Sequence, residues 1–108
     1  MTQEQLAVIL QTTGLPVSYQ DFPDENCPPM PYIIFEDTGS SQVFADGIVY
    51  AAFIPWTIVL FTAKKDAAKE SLVETALTAA EIAWTKTTEE DDEEQCMRVT
   101  YNIETIGG

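Results

Sequence analysis

Histidine is absent from this chain of 108 residues. Its absence removes the commonest general base and the commonest metal ligand. Catalysis of the Ser-His-Asp or Cys-His kind is therefore excluded. Cations are scarce: five Lys and Arg stand against 18 Asp and Glu, for a net charge of −13. No base precedes Lys64, and the whole set is Lys64, Lys65, Lys69, Lys86 and Arg98. Affinity for a phosphate backbone comes largely from Lys and Arg, so the balance argues against a nucleic-acid binder. The same balance argues against docking on an anionic membrane surface. Glycine is sparse and scattered (Gly14, Gly39, Gly47, Gly107, Gly108), which leaves no phosphate-cradling loop. Cys27 and Cys96 are too few for a disulfide framework or a four-ligand zinc site, and are expected as free thiols. Long apolar runs are missing too. None approaches the ~18–20 residues of a membrane span, and the first residues lack the basic-then-apolar pattern of a secretion signal.

What remains is the composition of a folded domain. Hydrophobic residues make up 45% and charged residues 21%, close to the average for globular chains. The length predicts one domain over 1–108. The first predicted element is a short helix. Thr2 and Gln5 form a capping-box pattern, Leu6, Ile9 and Leu10 share a face, and Gly14 and Pro16 end it. Residues 20–31 hold Pro23, Pro28, Pro29 and Pro31 and read as a stiff surface connector. Tyr32 to Phe35 reads as a strand, and Gln42 to Ala45 as another. Asp46-Gly47 is a hairpin turn signal, because the tight turn needs positive φ. Ile48 to Thr62 is a long extended segment, with burial expected on both sides around 58–61 and a bulge or edge at Pro55.

A second helix is predicted from about Asp66, its N-cap, to Ala83, with Leu72, Val73, Ala76, Leu77 and Ala80 as its apolar stripe. Trp84 to Thr88 and Cys96 to Thr105 read as a hairpin, with Glu89-Glu90-Asp91-Asp92-Glu93-Glu94 at its tip. In the last strand Met97, Val99, Tyr101 and Ile103 face one way. No strand–helix–strand repeat recurs. The order predicts an α+β fold: one largely antiparallel β-sheet of about four to six strands, with two helices packed on one face.

Candidate chemistry is thin. Asp21, Asp24 and Glu25 cluster, as do Glu36 and Asp37, but so short a chain leaves little room for a substrate cleft beside its core. A solvated acidic loop is the expectation. The six-acid block lacks the spaced ligands and glycine of a calcium loop. It reads as a solvated tip or as a docking surface for a basic partner. Lys64 and Lys65 read as a solvated loop or as a contact to an acidic patch on a neighbouring copy. Phe44, Tyr50, Phe53 and Trp56 gather around the Asp46 turn. Most of them are expected in the core; a long two-stranded arm there needs more sheet or a partner, and if it projects its aromatics mark an interface. The candidate interface residues are thus Phe44, Asp46, Tyr50, Lys64, Lys65, Glu89, Glu90, Asp91 and Asp92. No catalytic, cofactor-binding or metal site is expected.

Five stretches carry a resemblance. They are Leu15 to Val17, Pro28 to Phe35, Phe44 to Tyr50, Ile58 to Asp66, and the alternating strand Met97 to Glu104. In that order the chain resembles small tail terminator proteins, also described as tail completion or head–tail joining proteins. These belong to long-tailed bacteriophages and prophages of Gram-positive bacteria. The resemblance implies an α+β fold and a homomeric ring, six copies in the best-known terminators. It implies a virion position between the tail tube and the head connector, with DNA passing through unbound. It brings no catalytic residues. Ala63 stands where an acid is expected before the lysines, and the acid block is stronger than usual. Two other functions fit the residues: a stopper or adaptor in the connector, and an acidic DNA mimic that occupies a basic protein.

Overall fold

A computed structural model describes residues 3–20, 29–37, 41–45, 48–91 and 96–106. The chain runs α1 (Gln3–Gln11), β1 (Val17–Tyr19), β2 (Tyr32–Asp37), β3 (Ser41–Ala45), β4 (Ile48–Thr62), α2 (Ala67–Ala79), β5 (Trp84–Asp91) and β6 (Cys96–Ile106). The strands form one sheet in the order β1-β2-β4-β6-β5, with β3 pairing β4. Every pair is antiparallel except β1 with β2. The fold is α+β, largely antiparallel, with both helices on one face, as expected.

Burial follows the alternation of the strands. Ile33 and Phe35 of β2, Trp56, Ile58 and Leu60 of β4, and Val99, Tyr101 and Ile103 of β6 point into the core. Leu6 and Leu10 of α1 and Val73 and Leu77 of α2 cover them. Trp56 Nε1 donates to Thr105 Oγ1 at 2.8 Å, so the buried indole keeps a partner. On β4 the inward residues Ile58 and Leu60 are fully buried, whereas the outward Val59 and Phe61 are half-buried. Burial on both sides is thus unequal, because the helices cover only one.

Helix ends differ in how well they follow the residue pattern. Thr2 lies outside the described residues. Gly14 takes φ +80° after α1, the left-handed turn that favours glycine. Asp66 caps α2, accepting the Lys69 backbone N–H at 3.2 Å. The other end of α2 stops at Ala79, short of the expected Ala83. Glu81 adopts φ +60°. Its N–H bonds to Thr78 O, and the Ile82 N–H bonds back to Leu77 O. That is a Schellman closure, with glutamate where glycine is usual. It folds Ile82 back against the core.

Two expectations need correcting. Leu72 is 38% exposed and does not belong to the buried stripe; Glu70 takes a place on that face with Val73, Ala76 and Leu77. The helix presents Glu70 to Lys86 of β5 and to Lys65 of the loop that precedes the helix. The acid block is also not all tip. Glu89, Glu90 and Asp91 lie within β5, paired in register with Arg98, Met97 and Cys96. The strand β1, within what reads as helix end and connector, is an addition. It is three residues long and parallel to β2, and Tyr19 Oη donates to Asp37 Oδ1 at 3.1 Å.

Candidate functional site

The long strand β4 organises the molecule. Fifteen residues at ~3.3 Å each span roughly 50 Å, and the longest dimension of the molecule is 50 Å. Residues 53–62 of β4 pair with β6, and residues 56–61 pair with β2 on the opposite edge. Pro55 lies where that edge passes from β2, ending at the Asp37–Trp56 pair, to β3, beginning at Ser41–Phe53. This is a discontinuity of the kind that admits proline. From residue 52 to 48, β4 pairs with β3 alone among the described strands. The result is a two-stranded arm. The register steps from Val43–Ala51 to Phe44–Val49, so Tyr50 is the extra residue of a bulge. Of the interface candidates, Phe44 and Tyr50 are therefore placed on this arm. Asp46, at its turn, lies outside the described residues. The arm is also poor in charge: between residues 38 and 63 the only charged residue is Asp46.

The opposite end of β4 gathers other candidates. An open groove of about 490 Å³ is lined by Ala63, Lys64, Lys65, Glu90, Asp91, Cys96 and Met97. Four candidates thus meet around one surface, far from the arm. A second groove, about 350 Å³, shares Asp91 and Cys96 with it and adds Met30, Tyr32, Phe61 and Arg98. Cys96 is buried and in no disulfide among the described residues, and Cys27 lies outside them. Arg98 Nη2 stands 3.6 Å from both Glu89 and Asp91. Asp92 lies outside the described residues. Lys65 is paired within its own chain, its Nζ 2.9 Å from the Glu70 carboxylate.

Glu70 is the centre of a cluster that the sequence pattern did not single out. Its side chain is 3% exposed, and Lys86 Nζ lies 2.8 Å from it and 3.0 Å from Glu74. Tyr101 Oη donates to Glu74 Oε2 at 2.8 Å. Burial pushes the Glu70 carboxyl up, but hydrogen bonds from Lys86 and Lys65 outweigh it and hold the group below the usual range. Lys86 is raised by hydrogen bonds to Glu70 and then Glu74. Burial, then Glu74, drives the Tyr101 phenol far upward, so it stays a neutral donor. The cluster ties α2 to β5 and β6. It is a structural lock; an open groove of about 450 Å³ beside it is lined by Glu74, Thr75, Thr78, Ala79 and Trp84, and Glu74 is its one titratable group. Among the described residues no group of three or more His, Cys, Asp or Glu is placed to hold a metal, and no helix is long and apolar enough to cross a membrane.

The outward face of the sheet carries no helix. At its centre are Ile34 and Val59, directly paired, with Thr57 and Thr100 beside them. Tyr32 and Phe61 stack at its edge, ring centroids 5.0 Å apart. The row Ile34–Val59–Thr100–Thr87 carries no charge; by alternation the charged residues of this face are Glu36, Glu89, Asp91, Arg98 and Glu104, in the rows to either side.

No family model matches the chain, and no curated protein matches it. A solved structure does. A chain of a particle described as the virion of a native gene transfer agent superposes with a TM-score of 0.59 at 13% identity. The match covers 94% of this chain and 86% of that one, and it establishes a shared fold.

Proposed function

We propose that the protein is a structural subunit of a phage-like virion, and specifically a tail terminator. It forms a ring at the head–tail junction, ends tail-tube polymerisation and joins the tail to the head connector. The observation that carries this reading is the fold shared, over nearly the whole of both chains, with a chain of a gene transfer agent virion. The resemblance of the five ordered stretches to tail terminators supports the finer assignment. A two-stranded arm built of uncharged residues suits a protein whose work is contact with other proteins. The subunit would be made in the bacterial cytoplasm, act without cofactor or catalysis, and meet the tube protein and the connector. Clustered acids on β5 would keep DNA sliding through the channel rather than bound.

The test is deletion of the gene from the phage or prophage that carries it, followed by electron microscopy of the particles. A terminator predicts tubes of uncontrolled length without heads. Tails of normal length beside unjoined heads would overturn the terminator in favour of a connector stopper or adaptor. Normal infectious particles would overturn both.

A further inference from the structure

We propose that subunits meet by laying the β3–β4 arm of one copy across the helix-free sheet face of the next; this rests on the ring reading above. Both surfaces lack a covering element among the described residues. Residues 48–52 of β4 have β3 on one edge and no strand on the other. The face centred on Ile34 and Val59 is left open, because α1 and α2 pack on the opposite side.

Charge selects the occupant. A chain of net charge −13 repels its own copies. Two copies approach at least cost where neither carries charge. The arm carries none except Asp46 at its turn, and the row Ile34–Val59–Thr100–Thr87 across the face carries none. A basic partner would choose β5, where Glu89, Glu90 and Asp91 stand together. Dimensions agree. The five residues of β3 span roughly 17 Å, and the row Ile34–Val59–Thr100–Thr87 crosses four strands, roughly 14 Å. The two surfaces lie at different places on one molecule, so the contact is head-to-tail. Such a contact closes into a ring when its rotation permits.

Single variants placed on each surface test this by native mass spectrometry. Val59→Glu charges the face and Tyr50→Glu charges the arm. Each alone should stay monomeric to at least about tenfold above the concentration at which the wild type assembles. Mixed one to one, they should form a heterodimer that grows no further, since each supplies the surface the other lacks. Leu72→Glu, on the exposed side of α2, should assemble as the wild type does. If Val59→Glu does not fold, judged by its thermal transition, Thr100→Glu on the same row replaces it. Assembly by either single variant at wild-type concentrations, or no heterodimer on mixing, would overturn the arm-on-face contact while leaving the ring standing. A wild type that never self-associates would overturn both.

Discussion

The two ends of β4 handle charge in opposite ways. Around the end that runs into α2, the chain uses cations to hold itself together. Lys65 and Lys86 lock Glu70, and Arg98 faces Glu89 and Asp91. Around the other end, the arm carries almost no charge, and over residues 48–52 its long strand pairs with β3 alone among the described strands. On the contact proposed above, the contrast teaches how a strongly acidic protein would be both folded and associating. Two of its five cations are placed where a buried acid needs them. Its neutral surface is kept apart from them, where a second copy would approach.

Breaking the lock should have the largest effect on stability. Lys86→Met leaves Glu70 buried with only Lys65 beside it and should cost about 3 kcal/mol, read by urea unfolding. Glu70→Leu combined with Lys86→Met should recover most of that loss. A double variant as unstable as the single would contradict the lock. Titration gives an independent check. The folded Glu70 carboxyl lies below its unfolded value of about 4.5. Its stabilisation is therefore complete above that value and is lost as pH falls through the lower, folded value. Wild-type stability should fall in that acid window, and Glu70→Leu/Lys86→Met should show less of the fall. Equal acid sensitivity in both would place the sensitive group elsewhere.

Smaller changes sharpen the comparison. Tyr101→Phe removes the hydrogen bond to Glu74 and should cost about 1.5 kcal/mol in the same assay. Asp66→Ala removes the cap of α2 and should cost about 1 kcal/mol. Glu90→Gln, on an exposed strand position, should shift stability by less than about 0.5 kcal/mol. It should also leave assembly intact. Loss of assembly in Glu90→Gln would move the interface from the neutral arm to the acid strand. Salt reads the same distinction with no mutation. Screening weakens repulsion between acidic copies, so added salt should promote assembly through neutral surfaces. Dissociation by salt would point to charged contacts.

The sheet was largely legible because its signals are local. Asp46-Gly47 and the β-branched run after it set β4 at Ile48–Thr62, and alternation in β6 put Val99, Tyr101 and Ile103 inside. The strand β1 was not legible, since Val17–Tyr19 is three residues long and is held by a parallel partner 16 residues away in register. The lock was half legible. Glu70 sits three and seven residues before Val73 and Leu77, a helical spacing that places it on their face. What could not be read is that Lys86, from a strand beyond the helix, would meet it. Apolar patterning favoured Leu72, but pairing a buried acid outweighed exposing one leucine. For the interface, the sequence marked the residues but not their separation. Lys64, Lys65, Glu90 and Asp91 share one groove, and Phe44 and Tyr50 stand at the far end of β4.

The most direct test of the central claim is native mass spectrometry over a concentration series, with and without magnesium to screen the acids. The account predicts a closed ring of one fixed copy number, favoured by magnesium. A monomer at every concentration, in both conditions, would contradict it.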